Sequence, residues 1–284
     1  MSRVVLVHGI GQQTKGPQTL LSEWYPALRD GLSLARCADV ELGQGDVTVG
    51  FYGDIFRPQG GRGLDGPLLD ASDVTAEDAQ WLMGWWEEAA RTETAVHGPD
   101  APGRIRSPNW IQRALNALSH SAFFAGLSEH ALVSNLSQVR RYFTEPATRQ
   151  AIRERVAASV TRETRVIVAH SLGTVAAYEA MCVNPHWSQI GLVTLGSPLG
   201  IRNLVFDRLE PLPVAYKGYW PGSATNWANI ADTGDIVALA KELAPLFDGP
   251  VIDTLVHNGA RAHDVRPYLT ASETGRAVAA GLRR

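Results

Sequence analysis

The sequence predicts an α/β fold with a mostly parallel, doubly wound sheet of about six strands. Short β-branched runs bounded by glycine alternate with longer segments of helical periodicity. The 284 residues are 45% hydrophobic, which is enough to build a large buried core. Charged residues make up only 19%, a fraction that excludes disorder and coiled coil as the main state.

Six strands are expected, over residues 3–7, 47–52, 165–169, 192–195, 227–231 and 251–256. A helix is predicted over 18–35, because leucine and tryptophan recur there at three- and four-residue spacings. A further helix is expected to begin near Thr144, with that residue as the N-cap and Pro146 in the first turn.

Residues 54–142 form a long insertion at a point where a doubly wound fold needs only a crossover helix. We therefore expect a single domain over 1–284 with a helical cap or lid subdomain inserted at 54–142. Its segment 57–66 is rich in glycine and is predicted to be a loop. A cap with its own core and a substrate-binding lid both fit the insertion's aromatic residues, which are Trp81, Trp85, Trp86, Trp110, Phe123 and Phe124.

The strand over 165–169 runs directly into His170, Ser171, Leu172 and Gly173, and a helical pattern follows. Such a strand-to-helix elbow exposes a serine hydroxyl and requires small residues two positions away on each side, here Ala169 and Gly173. The amide of Leu172, at the start of the helix, can then stabilise an oxyanion. The alternative is that Ser171 only caps the helix, and His170 is expected to be a packing or hydrogen-bonding residue.

The first strand ends in a glycine-rich loop, His8–Gly9–Ile10–Gly11. Its amide groups, that of Ile10 above all, are candidates for a second oxyanion donor. The alternative is a tight turn that needs glycine only for its geometry.

A serine nucleophile needs a histidine base, and the histidine needs a carboxylate to orient it. His263 follows the last predicted strand and is the favoured base, with His257, at the end of that strand, as the alternative. The third candidate is His186, which follows the elbow helix too soon.

The acid is expected after the strand over 227–231, where two aspartates compete. Asp235 is favoured, because it lies in the loop and leads an apolar Ile–Val pair. Asp232 is the alternative and is more typical of a turn or cap residue. Asp264 is the least favoured acid, because it directly follows His263 and neighbouring side chains in an extended chain point away from each other.

Together these segments resemble the α/β-hydrolase superfamily, in particular its lipase and serine-esterase branch. The resemblance also includes the run 193–198 and a histidine shortly before Tyr268, and it covers roughly 3–53 and 140–284. It implies Ser171 as nucleophile, His263 as base and Asp235 as its orienter. Ile10 and Leu172 would then be the oxyanion donors. The sequence departs from the family pattern at Ala169, where glycine is usual, and it lacks two antiparallel strands of larger members.

The expected function is hydrolysis of a carboxylic ester or thioester with an apolar acyl or alcohol group. The alternatives are an acyltransferase that uses the same residues and a ligand-binding member of the fold without turnover. No cofactor or metal is expected, and the net charge of −3 argues against a nucleic-acid partner. Two lone cysteines and the lack of a signal peptide or transmembrane segment favour the cytoplasm.

Overall fold

The computed structural model describes residues 2–37, 39–57, 69–99, 109–121, 128–187 and 189–284. Six strands lie in these ranges: β1 (Val4–Val7), β2 (Val47–Gly50), β3 (Val166–His170), β4 (Ile190–Leu195), β5 (Ala224–Asp232) and β6 (Val251–Val256). They form one open sheet in the order β2-β1-β3-β4-β5-β6, and each neighbouring pair is parallel. The predicted α/β class with a six-stranded parallel sheet is confirmed.

The described ranges also contain eight α-helices: α1 (Pro17–Leu34), α2 (Ala76–Thr92), α3 (Trp110–Ser119), α4 (Glu129–Thr144), α5 (Pro146–Ser159), α6 (Leu172–Val183), α7 (Val265–Thr270) and α8 (Ser272–Leu282). None of these helices is both long and apolar enough to cross a membrane.

Successive strand residues point to opposite faces of the sheet, and this alternation builds two apolar layers. Val4 and Leu6 of β1 pack with α1, α7 and α8 on one face. Val5 and Val7 pack on the other face, in a cluster that includes side chains of α5 and α6. The sheet is therefore buried on both sides, as the continuous hydrophobic runs in its central strands predict.

Only β6 has the predicted bounds, and the other five strands differ from them by one to three residues at one or both ends. Two of these differences have a local cause. β5 begins at Ala224 rather than at 227, because the half-exposed Thr225 and Asn226 give no apolar signal although they extend the strand. β2 ends at Gly50 rather than at 52, because the Tyr52 N–H leaves the sheet and donates to Nε2 of His8 at 3.0 Å.

The prediction that Thr144 caps a helix is wrong. Thr144 is the last residue of α4, and its hydroxyl donates to the carbonyl of Arg140 one turn earlier. Glu145 is the N-cap residue of α5, and Pro146 is its first residue. The proline still marks the start of the helix, because its fixed φ suits the first turn.

The described part of the insertion consists mainly of α2, α3 and α4. Its buried tryptophans, Trp81, Trp85 and Trp86, belong to the same apolar cluster as Val5 and Val7 of β1. The helices α2, α3 and α4 therefore pack into the core of the sheet. This differs from the cap with a core of its own that the sequence analysis considered. Phe123, Phe124 and most of the predicted loop over 57–66 lie outside the described residues.

Candidate active site

The loops after β1 and β3 meet at a topological switch point of the sheet. β1 and β3 are neighbours, but the helices that follow them, α1 and α6, pack on opposite faces. The chain segments at the carboxyl ends of the two strands therefore diverge and leave a crevice. Parallel α/β sheets commonly bind ligands in such a crevice.

Ser171 lies in this crevice, at the sharp turn between β3 and α6. Its backbone has φ 54° and ψ −133°, a strained conformation for a residue with a Cβ. Its amide donates to the carbonyl of Leu195 at 3.0 Å, which anchors the turn to β4. The side chain is buried, with 5% exposure.

Two glycines make this tight turn sterically feasible. A Cβ on Gly173 would lie 2.3 Å from the carbonyl oxygen of His8, so only glycine lets α6 begin so close to the end of β1. A Cβ on Gly9 would lie 2.6 Å from Cβ of Ser171. The glycine-rich loop and the serine elbow therefore pack directly against each other.

Asp235 and His263 form a buried pair beside this crevice. Oδ2 of Asp235 lies 2.7 Å from Nδ1 of His263, and both side chains are almost completely excluded from solvent. An ionised carboxylate only accepts hydrogen bonds, so the pair holds the imidazole proton on Nδ1 and directs the lone pair to Nε2. This is the tautomer that a general base needs.

Asp235 is held as a carboxylate by a dense set of donors. Oδ1 accepts from the amides of Val237 at 2.8 Å and Ala238 at 3.2 Å, and Oδ2 accepts from the Tyr268 hydroxyl at 2.8 Å. Burial alone would raise the pKa of Asp235. The opposing effects of His263, the Val237 amide and Tyr268 outweigh burial and lower this pKa to about 2.

Gly196 and His170 also contact this pair. Gly196 has φ 53°, and a Cβ there would lie 2.6 Å from Oδ2 of Asp235 and 3.0 Å from Nδ1 of His263. Nε2 of His170 lies 2.9 Å from the carbonyl of His263, and the two rings are 4.5 Å apart. Burial, with a smaller contribution from His263, lowers the pKa of His170 to about 3, so this ring is neutral.

The glycine-rich loop after β1 is fixed at its base by His8. The His8 Nδ1 lies 2.6 Å from the carbonyl of Gly9, and Nε2 accepts the Tyr52 amide. The Tyr52 ring stacks on His8 at 4.0 Å, and its hydroxyl donates to the His8 carbonyl. Burial lowers the pKa of His8 to about 4. His8 is therefore a neutral structural residue that ties β1 to β2.

The two predicted oxyanion donors lie on the same cavity as Ser171. Leu172 is the first residue of α6, where backbone N–H groups have no acceptor within the helix. The amide of Gly11 donates to the side chain of Gln138 at 3.1 Å and is therefore already occupied, and Ile10 stays the predicted donor of this loop.

The alternative acids have other structural roles. Asp232 accepts the amides of Gly234 and Asn258, which closes the turn after β5. Asp264 is the N-cap of α7 and accepts the Arg266 amide.

The alternative bases lie in other surroundings. His257 directly follows β6 and lines a second cavity with Leu34 and Leu255. His186 is an exposed residue of the connection between α6 and β4.

Ser171 and His263 line one cavity of about 940 Å³. Its other walls come from the loop after β1, α1, the start of α7 and two helices of the insertion, α2 and α4. The insertion thus supplies part of the surface around Ser171. Five apolar lining residues belong to the cluster that also contains Val5 and Val7: Trp81, Trp85, Val139, Leu172 and Val237.

The sequence analysis did not anticipate the contacts of Tyr268, Gly196 and Gln138. Tyr268 entered only through the family resemblance, although a tyrosine five residues after a candidate base is a visible signal. Gly196 follows an apolar strand directly, which is a signal for a turn that needs a positive φ. Gln138 carries no comparable signal, since its contact joins distant parts of the chain.

Comparison with protein-family models, curated proteins and solved structures finds no match to this chain. Within the described ranges, no group of three or more His, Cys, Asp and Glu side chains is arranged to hold a metal ion.

Proposed function

We propose that the protein is a serine hydrolase of the α/β-hydrolase type that cleaves a carboxylic ester or thioester. The observation that carries the proposal is the 2.7 Å contact of Asp235 with His263, which lines the same cavity as Ser171 at its strained elbow. A histidine oriented by a buried carboxylate is the group that a serine nucleophile requires.

In the proposed reaction, Oγ of Ser171 attacks the substrate carbonyl and Nε2 of His263 takes the hydroxyl proton. Asp235 stays ionised and stabilises the imidazolium, in line with its lowered pKa. The tetrahedral intermediate collapses when His263 returns the proton to the leaving alcohol or thiol. Water, activated by the same histidine, then releases the acid and regenerates Ser171.

The negative charge that develops on the carbonyl oxygen needs hydrogen-bond donors in fixed positions. The amides of Leu172 and Ile10 are proposed for this role. Leu172 lies at the N-terminus of α6, where the helix dipole also favours an anion.

The lining of the cavity favours an uncharged substrate with an apolar part. Its tryptophans and aliphatic side chains suit an acyl chain. The two basic residues in the lining are already paired with acidic residues of the same lining: Lys15 with Glu23 at 2.6 Å, and Arg266 with Asp264 at 2.8 Å. Because both Lys15 and Arg266 are already paired, we expect neither to bind an anionic group of a substrate. An ester with a neutral acyl chain should therefore have a higher kcat/KM than the same ester with a carboxylate at the end of that chain.

The first test is labelling with a fluorophosphonate probe, followed by mapping of the modified peptide. We expect the wild-type protein to be labelled at Ser171 and Ser171→Ala to remain unlabelled. The matched control is Ser22→Ala, which removes an exposed serine of α1 whose hydroxyl donates to the carbonyl of Thr19, and it should leave labelling unchanged.

Labelling should be followed by assays on p-nitrophenyl esters of increasing chain length, with product analysis in the presence of added alcohols. Free acid as the main product supports hydrolysis, whereas a new ester as the main product would favour acyl transfer. A folded protein that is not labelled at Ser171 would contradict the proposal.

A further inference from the structure

The inserted helix α4 contacts the glycine-rich loop after β1 through one buried side chain. Oε1 of Gln138 accepts the amide of Gly11 at 3.1 Å. Its Nε2 donates to Oε1 of Gln13 at 3.2 Å. Gln138 is 4% exposed and is not among the residues that line the cavity.

A second residue of the same helix packs on the same point of the loop. A Cβ on Gly11 would lie 3.2 Å from Oδ1 of Asn135, and Gly11 has φ 76°. Asn135 precedes Gln138 by one helical turn, so α4 presents two amide side chains to the loop. The close approach and the positive φ both explain why residue 11 is glycine.

On its other side, the loop is attached to the segment after β2. Arg57 donates to the carbonyls of Gln13 at 2.8 Å and Lys15 at 2.7 Å. With His8 at its base, the loop is thus held from the sheet, from the end of β2 and from the insertion. Of these supports, only Gln138 bonds to the amide that directly follows Ile10.

We infer that Gln138 is a positioning residue for the oxyanion site, and that α4 is a fixed part of this site instead of a lid that only covers it. The inference rests on the proposed function. An oxyanion donor acts only if it is held about 2.7–3.1 Å from the developing charge, so support of the next amide in the chain fixes the donor's position. Gln138 acts through the backbone and does not touch the substrate.

The test compares Gln138→Met with the wild type by hydrogen exchange of the amides over 9–13 and by steady-state kinetics. Methionine is close in size to glutamine but offers no strong acceptor, so the Gly11 amide is expected to exchange about tenfold faster. We expect kcat to fall by about tenfold to a hundredfold while KM stays within about threefold, because the loss affects transition-state binding.

Two further variants separate positioning from general damage to the helix. Ser137→Ala alters the neighbouring residue of α4, whose hydroxyl accepts only from Arg140 among the described contacts, and should change neither exchange nor kcat. Gln138→Glu keeps an acceptor for the Gly11 amide and should restore exchange to within about threefold of the wild type.

Unchanged exchange at Gly11 in Gln138→Met would overturn the inference, and so would accelerated exchange with unchanged kcat. If the Gln138→Met variant does not fold, the Gln138→Glu variant decides between the outcomes. A Gly11 amide that stays protected from exchange in an active enzyme supports the inference. A Gly11 amide that loses protection in a fully active enzyme contradicts it. Faster exchange in a protein whose Ser171 resists labelling would reject the hydrolase function but support the attachment of α4 to the loop.

Discussion

The hydroxyl of Tyr268 donates to Oδ2 of Asp235 at 2.8 Å, the same oxygen that contacts Nδ1 of His263. The Tyr268 oxygen in turn accepts the amide of Asp232 at 2.7 Å. One buried hydroxyl therefore joins the end of β5 to the carboxylate that orients the candidate base.

Replacement of this tyrosine by phenylalanine should affect both stability and turnover. Tyr268→Phe leaves the buried Asp232 amide without its acceptor, which is expected to cost about 1–3 kcal/mol of unfolding free energy. Because Asp235 loses one of its positional restraints, kcat should fall about tenfold with little change in KM. Urea unfolding and ester kinetics measure the two effects, and an unchanged kcat would exclude a role of Tyr268 in orienting the pair.

The strained backbone of Ser171 predicts a difference between two inactive variants. Ser171→Ala keeps a Cβ and therefore keeps the strain at φ 54°. Ser171→Gly removes the Cβ, so it should be more stable than Ser171→Ala by about 1 kcal/mol, after allowance for the greater entropy of unfolded glycine. Thermal unfolding of the two purified variants gives the comparison. Equal stability would mean that the strain at the elbow does not exceed the entropic cost of glycine, about 0.4–1 kcal/mol.

A methyl group at residue 196 should disrupt the contact between Asp235 and His263. The Cβ of Gly196→Ala would lie 2.6 Å from Oδ2 of Asp235, at a φ that alanine rarely adopts. We expect activity to fall at least about a hundredfold, because a small displacement of the base is enough for such a loss. Gly45→Ala is the matched control: a Cβ there meets open space, so activity should not change. Activity within a few-fold of wild type in Gly196→Ala would show that the pair tolerates displacement.

Stability should fall as the pH is lowered from 6.5 to about 4. Burial lowers the pKa of His8 to about 4 and that of His170 to about 3, while unfolded histidine titrates near 6.5. In this window the unfolded chain binds protons that the folded chain does not, so each histidine reduces the unfolding free energy by about 1.4 kcal/mol per pH unit. Together, His8 and His170 should lower the unfolding free energy by about 3–4 kcal/mol between pH 7 and pH 5.

Asp235 contributes in a lower range. Its folded pKa of about 2 lies below the unfolded value near 3.9, so its stabilisation is complete above pH 4 and is lost only as the pH falls towards 2.

Denaturant unfolding at pH 7, 6 and 5 therefore measures the contribution of the histidines without that of Asp235. His170→Gln should reduce the slope by about half, and an unchanged slope would contradict the neutral buried state of this ring.

Much of the site could be predicted because its residues follow strands. Ser171, Asp235 and His263 come after β3, β5 and β6 of a parallel sheet. The carboxyl ends of parallel strands lie at one edge of the sheet, so the positions of these residues after strands indicated that they lie near one another. The structure places Asp235 against His263 and gives Asp232 a turn role, as the sequence analysis favoured. Their catalytic roles stay predictions, and the labelling experiment tests that of Ser171.

What the sequence could not indicate are contacts between segments far apart in the chain. The amide of Gln138 meets Gly11 only because α4 packs beside the loop after β1, and a single buried glutamine leaves no periodic signal. The error at Thr144 has a local reason, because only Glu145 separates α4 from α5. Pro146 correctly indicated the start of α5, whereas Thr144 is still part of α4.

The pairing of β1 with β3 determines when the site can first exist during synthesis. Val4 is aligned with Val166, so the loop after β1 emerges from the ribosome long before its partner strand does. The candidate nucleophile follows, and His263 emerges later still. A nascent chain therefore has no oriented base until residues beyond 263 have folded back onto the sheet. On the proposed function, translation stalled before that point yields a polypeptide without esterase activity, however well its first strands have paired.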